Sequence, residues 1–333
     1  MYQAEFKGIN TFLRDTCRLI LKKGVYRETR QLKCYELPEP YMVKISDPTA
    51  RIITIAERRW YAPLAYAESL WIASGRNDMN FINLYGKNLK NFSDNGETMR
   101  GAYGPRFRHY NGDECDYNIH EIYDEQPNEV DQFRYVIDCF RKDINTRQAI
   151  INIGDPIKDC FGIDRKLKTT KDLPCTRMLH FMKDANANKL NLIVSMRSND
   201  LIWGASAVNI FNFTWMQEYF AAILGLEIGS YYHIADNLHY YEDKRDLVES
   251  IAAVNQVEDY PYEYRKTFHS LEVFDQLIHE MIFEEHKMRI EKEKYQYHEF
   301  NDPFFQDWYN VLYCKLLRKN IDFINPYMKY GLI

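Results

Sequence analysis

The stretch MRSNDLIWGASAVNIF, residues 196–211, joins two patterns of different period. Before it, residues 190–197 (LNLIVSMR) predict a strand. After it, residues 209–224 (NIFNFTWMQEYFAAIL) are apolar over a helical length, and Gly225 is placed to cap them. Outward from there, residues 177–183 predict a second strand, separated by the polar turn DANANK, and residues 230–235 and 147–153 predict two more. Residues 5–23 carry Phe6, Ile9, Phe12, Leu13, Leu19 and Ile20 at helical spacing, with Gly24 as a stop. Residues 61–74 predict an apolar helix ending at Gly75, residues 131–141 an amphipathic helix, and residues 40–55 a strand bounded by prolines. After residue 242 the chain is mostly helical and highly charged, and EEHKMRIEKEKYQYHEF (284–300) reads as a solvated helix or extended arm. Strands and helices mix without a βαβ rhythm or a phosphate-binding glycine loop. The expected fold class is therefore α+β rather than doubly wound.

The net charge of -5, with no long basic run, argues against a nucleic-acid-binding protein. A phosphate-bearing small molecule needs only a few arginines and stays open as a ligand. The seven cysteines are scattered, odd in number and without a CxxC pair, so neither a disulfide framework nor a metal site is expected. The amino terminus, MYQAEFKGINTFLRD, lacks the apolar core of a signal peptide, and no apolar stretch is long enough to span a bilayer. The expectation is a cytoplasmic protein with no membrane contact. A length of 333 residues fits one large domain or two ordinary ones, and no linker or repeat divides it.

Four stretches carry residues suited to chemistry: RQAIINIGDP (147–156), LPCTRMLHF (173–181), the opening stretch 196–211, and YYHIADNLHYY (231–241). Singly, each has an ordinary explanation. A free cysteine is usually a small buried residue, a strand histidine a core residue, and an Arg-Ser pair a common strand end. In this order, however, they resemble the thymidylate synthase family, which includes the pyrimidine hydroxymethylases. The resemblance rests on Pro174-Cys175, on Arg197-Ser198-Asn199-Asp200 followed by Gly204 and Asn209, and on His239-Tyr240-Tyr241. Upstream, GAYGPRFR (101–108) is similar to the family's Tyr-Gly-x-x-x-Arg element and ESLWIASG (68–75) to its Glu-x-x-Trp helix. It covers residues 60–242 and fades at both ends.

The resemblance implies a single α+β domain over residues 1–333, with a large mixed sheet packed by helices and lying at the interface of a homodimer. Residues 243–333 would be a divergent, mostly helical elaboration. It further implies transfer of a one-carbon unit from 5,10-methylenetetrahydrofolate to C5 of a pyrimidine nucleoside monophosphate. The C5 carbon is a poor nucleophile until a thiolate, here Cys175, adds at C6. Arg197 would raise the thiolate fraction and, with Ser198, bind the nucleotide phosphate, since a guanidinium fork matches phosphate oxygens. Arg147 would reach the phosphate of the neighbouring subunit, although Gln148 stands where many members carry a second arginine. A further phosphate contact would come from Arg27 or Arg30, and the sequence does not choose between them. Asn209 would read the base edge, donating to one atom and accepting from its neighbour as uracil requires. It lies one residue farther from Gly204 than in the common family pattern. His239 and Tyr241 would hold the sugar hydroxyl, and Asp200 the pterin ring. Glu68 would act as general acid and base, its pKa raised by apolar surroundings, with Tyr103 in the proton relay.

Two outcomes divide the family, a methyl product when water is excluded and a hydroxymethyl product when water is admitted. Residues 86–96 (GKNLKNFSDNG) are polar where synthases carry tryptophans, and Thr176 and His180 depart from the synthase pattern. These departures resemble the divergent phage-type branch that contains deoxyuridylate hydroxymethylases. The leading expectation is thus a dUMP hydroxymethylase. The alternatives are a thymidylate synthase, a dCMP or CMP hydroxymethylase, a silent nucleotide- or RNA-binding relative, and a Cys-His hydrolase using His180 or His239.

Overall fold

The structure, a computed structural model, describes residues 1–29, 32–86, 88–110 and 129–332. Strands and helices intersperse along it in the α+β manner expected. The chain forms two compact units from discontinuous segments: residues 1–65, 182–264 and 323–333 make the first, and residues 66–181 and 265–322 the second. The residues after 242 are divided between them.

In the first unit, strands Tyr2–Phe6, Tyr41–Ile45, Glu227–Ala235 and Lys189–Met196 lie side by side in that order. The outer pairings are parallel and the middle one is antiparallel, so the sheet is mixed. Helix Ile210–Leu224 packs against it and buries almost every side chain, which is why the segment is apolar all round. The register slips between Leu190 and Leu192, and Gln217 from the helix donates to the carbonyls of Leu190 and Ser230 there, at 2.8 and 3.2 Å. Glu218, in the same helix, is buried against Arg51 at 2.6 Å and accepts from the Tyr264 N–H. A second sheet runs Val25–Thr29, Leu32–Glu36, Leu238–Tyr241 and Asn199–Asp200.

Residues 40–55 correct the expected strand, which stops at Ile45. Asp47 accepts from the N–H and hydroxyl of Thr49 and turns the chain. The apolar residues beyond it are buried without a strand partner, because Asn10 donates to Ile52 O and accepts from Thr54 N.

The second unit pairs strands Ile150–Asn152 and Thr176–Lys183 antiparallel, with Ile150 opposite His180. Around them stand helices Tyr103–Arg108, Gln132–Lys142, Leu271–Glu291 and Pro303–Leu317, together with most of Ala62–Ala73. Phe268, Phe274, Phe304, Phe305 and Trp308 form an aromatic core, and the Trp308 indole N–H donates to Tyr66 O. The charged segment 284–300 is not a solvated arm. Glu285 is wholly buried, held by Arg289 at 3.0 Å and by the Tyr85 hydroxyl at 2.9 Å, and Glu284 is held by Lys287 and the Tyr295 hydroxyl. Partners on the same and neighbouring turns neutralise charges that composition alone assigns to solvent. Among the described residues, no helix is long and apolar enough to cross a membrane.

Gly225 ends helix Ile210–Leu224 at a φ of 66°, and Leu226 N–H closes the cap on Ala221 O. Nothing lies within 4 Å of a Cβ built there, so substitution would meet backbone strain alone. Gly225→Ala is expected to lower stability by about 1 kcal/mol in urea denaturation. An unchanged midpoint would contradict this account of the cap.

Candidate active site

In the second unit the chain brings together Glu68, Tyr103, Asp172, Cys175 and Thr176. Glu68 comes from helix Ala62–Ala73, Tyr103 from the first turn of helix Tyr103–Arg108, and Thr176 from the start of strand Thr176–Lys183, with Cys175 just before it. The Tyr103 hydroxyl oxygen accepts from the Thr176 hydroxyl at 2.8 Å and from the Thr176 N–H at 3.3 Å. With two donors aimed at its oxygen, the phenol must direct its own proton to a third group. Burial, and then the neighbouring Cys175, hold the Tyr103 hydroxyl well above its ordinary range, so it keeps that proton at neutral pH. Burial, with the Asp172 charge behind it, pushes the Glu68 carboxyl up to about 7. Asp172 is also raised by burial, against the Gly101 N–H donating at 2.6 Å and the charges of Arg100 and Arg106. The cluster thus holds a thiol, a protonated phenol and a carboxyl able to take or give a proton near neutrality.

Asp159 shows the opposite balance nearby. Burial favours its protonation, but the guanidinium of Arg106, bonded at 2.8 and 2.9 Å, and that of Arg100, at 2.8 Å, outweigh this and hold it below its ordinary range. Asp94 accepts from the Thr170 hydroxyl at 2.7 Å and the Lys171 N–H at 2.8 Å. The polar stretch before residue 97 is therefore fastened to the segment that leads to Cys175.

In the first unit the small sheet sets the register of a second cluster. His239 pairs with Asp200 on one side and with Glu36 on the other, and Tyr241 pairs with Cys34, which in turn faces Arg27. Asn237 links these residues: it accepts from Ser198 at 3.5 Å, meets the His239 ring nitrogen at 2.9 Å, and donates to Glu36 at 2.6 Å. The His239 and Tyr241 rings meet edge to face, 5.2 Å apart. Arg197 follows directly on strand Lys189–Met196 and is half-buried.

Asp200 starts the next turn, where one carboxylate oxygen accepts from Ile202 N–H and Trp203 N–H, both at 2.6 Å. Residues Leu201–Asn209 then wind as a π-helix, and Ile210 N–H reaches back to Ala205 O. A π-helix takes an extra residue into a helical turn. The step from Gly204 to Asn209 lies within this π-helix. Gly204 is required there, since a Cβ would sit 2.5 Å from the Asn199 amide nitrogen and 2.8 Å from the Asn209 amide oxygen. The other Asp200 oxygen is buried with no hydrogen-bond partner among the described residues, and burial raises this carboxyl against the N–H bonds of Trp203 and Ile202 and the charges of His239 and Arg58.

Arg147 is exposed and lines an open depression of ≈ 570 Å³ with Lys142, Thr146 and Gln148. Arg27 is exposed and ion-paired with Glu36 at 2.6 Å, whereas Arg30 lies outside the described residues. Sequence inspection did not single out Asp172, Glu36 or Asn237. Asp172 and Glu36 carry no motif of their own, Asn237 is an unremarked member of the stretch 231–241, and the folded pairing identifies all three.

The thymidylate synthase family model matches residues 11–300. A deoxyuridylate hydroxymethyltransferase of Bacillus phage SP01 is 36% identical over 229 residues, which is 69% of this chain and 56% of that protein. One from Pseudomonas phage M6 is 30% identical over 230 residues, 69% of this chain and 59% of that protein. The chain thus spans a little over half the length of these phage relatives. Among solved structures, thermostable thymidylate synthase A from Bacillus subtilis has the same fold, with a TM-score of 0.58 at 20% identity, covering 75% of this chain and 86% of that one.

The raised Glu68 carboxyl has a consequence for stability. It ionises near 4.5 when unfolded and near 7 when folded, so the folded state is penalised progressively as pH rises between those values. Glu68→Gln escapes the penalty. Its stability relative to the parent is expected to rise across that window and level off above it, measured by urea denaturation of both proteins at a series of pH values. A difference independent of pH would contradict the raised carboxyl.

Proposed function

Because the chain belongs to the thymidylate synthase family, we propose that it transfers a one-carbon unit to C5 of a pyrimidine nucleotide, converting dUMP, 5,10-methylenetetrahydrofolate and water to 5-hydroxymethyl-dUMP and tetrahydrofolate. The observation that carries this proposal is the Glu68 carboxyl held near 7 in the cluster that contains Tyr103 and Cys175. The folate supplies the carbon at the oxidation level of formaldehyde.

Cys175 adds its sulfur to C6 of the base, and the electron pair displaced from the ring double bond makes C5 nucleophilic. C5 then takes up the one-carbon unit. Glu68, working with Tyr103, removes the proton that C5 still carries, which a carboxylate with a pKa near 7 does at neutral pH, and the electrons of that C–H bond form a double bond to the new carbon as its bond to the folate nitrogen breaks and tetrahydrofolate leaves. Water adds to the resulting exocyclic carbon, the C6–S bond breaks, and the Cys175 thiolate leaves. Arg197 and Ser198 bind the phosphate, His239 and Tyr241 the sugar hydroxyl, and Asn209 the base edge. Arg147, exposed on its loop, serves the phosphate of a partner subunit in a homodimer. Arg27, whose present partner is Glu36, or Arg30 adds the further phosphate contact. The buried, unpartnered oxygen of Asp200 fits a donor of the folate ring system, since an acceptor left alone in that position is costly.

The polar stretch fastened beside the Cys175 segment by Asp94 supports the hydroxymethyl outcome, because it carries no tryptophan to wall off water. Incubation with dUMP and methylenetetrahydrofolate, followed by mass analysis of the nucleotide and ultraviolet detection of the folate, is expected to give a hydroxymethylated nucleotide without dihydrofolate. A methylated nucleotide with stoichiometric dihydrofolate would replace this proposal with thymidylate synthesis.

A further inference from the structure

An asparagine does not by itself distinguish uracil from cytosine. Rotating its terminal amide by half a turn exchanges the donor and acceptor, and the two bases present reversed donor–acceptor patterns. If Asn209 reads the base, something must fix its amide.

Behind Asn209 stands a chain of buried polar groups. The Asn209 amide oxygen meets the Asn199 amide nitrogen at 2.9 Å, the Asn199 oxygen meets His233 Nε2 at 2.8 Å, and His233 Nδ1 meets the Tyr231 hydroxyl at 2.9 Å. Tyr231 is 0% exposed and His233 2% exposed, so both lie out of reach of bulk water. Burial drives His233 down to about 4 and raises Tyr231, which leaves a neutral imidazole with one ring proton beside a protonated phenol.

Only two settings satisfy the interior links of such a chain. In one, the Tyr231 O–H donates to His233 Nδ1, Nε2–H donates to the Asn199 oxygen, and the Asn199 NH2 donates to the Asn209 oxygen. In the other, every bond reverses: Asn209 donates to Asn199, Asn199 donates to Nε2, and Nδ1–H donates to the Tyr231 oxygen. The second setting leaves the Tyr231 proton buried without an acceptor, since His233 is its one hydrogen-bond partner among the described residues. The end of the chain therefore decides its direction.

We propose that Tyr231, His233 and Asn199 are positioning residues that lock the amide of Asn209 and so set the choice between uracil and cytosine. This rests on Asn209 being the base reader. A cytosine in the pose of uracil needs the flipped amide, which reverses the whole chain and strands the Tyr231 proton. Gly204 permits the lock by letting Asn199 and Asn209 meet across a position where a Cβ would intrude.

The test compares binding of dUMP and dCMP to the full chain and to its Tyr231→Phe and Asn209→Asp variants, with thermal melting to establish folding. Tyr231→Phe removes the proton that sets the direction, so the preference for dUMP over dCMP is expected to narrow by about tenfold. Asn209→Asp is expected to shift the preference as well. An unchanged preference in Tyr231→Phe alongside a shifted one in Asn209→Asp would overturn the relay and leave the base reader standing. No shift in Asn209→Asp would remove the base reader and the relay with it. Nitrogen NMR of the unmodified protein gives a measurement independent of variant folding: His233 is expected to carry its proton on Nε2, and a proton on Nδ1 would overturn the proposal.

Discussion

The carboxylate of Asp200 holds the turn on which the first unit's candidate site is built. One oxygen gathers the N–H groups of Ile202 and Trp203 and starts the π-helix. That helix runs from Leu201 to Asn209 and delivers Asn209 against Asn199. Strand pairing ties the same residue to His239, and through His239 to Glu36. An anion that caps a helix is satisfied by the N–H groups it accepts. Here the cap uses only half of the carboxylate, and the other oxygen is the acceptor we propose for the folate ring.

The second unit treats its acids in two ways, and partners decide which. Asp159 lies between Arg100 and Arg106 and stays ionised despite burial. Glu68 has a second carboxylate, Asp172, as its main charged influence, so burial prevails and its proton is held until pH approaches 7. Tyr103 is shifted the same way and remains a donor. The two settings suit different tasks. A permanently charged group braces loops, and a group poised near neutrality moves protons.

Much of this was legible in the sequence because it is local. Helix Ile210–Leu224 and its Gly225 cap follow from a largely apolar segment of helical length and one glycine, and the strands on either side of DANANK follow from apolar-rich segments flanking a polar turn. Glu68 stood out as a carboxylate among apolar residues, and its raised pKa agrees with that setting. What the sequence concealed depends on distance along the chain. The first turn of helix Ile9–Lys23 is capped by Asp259, which accepts from the N–H groups of Gly8, Asn10 and Thr11. The chain of Tyr231, His233, Asn199 and Asn209 crosses from a strand to a π-helix, and no spacing rule connects its members. Residues 284–300 were misjudged for the same reason, since Tyr85, from a distant segment, supplies a partner for Glu285.

In the reaction proposed for this chain, the Cys175 sulfur bonds to the nucleotide during turnover. The most direct measurement is to denature the protein during turnover of dUMP with methylenetetrahydrofolate, digest it and map the nucleotide-bearing peptide by mass spectrometry. The nucleotide is expected on the peptide that contains Cys175 and on no other. Attachment to a different residue, or sustained turnover by a protein with alanine in place of Cys175, would contradict the account.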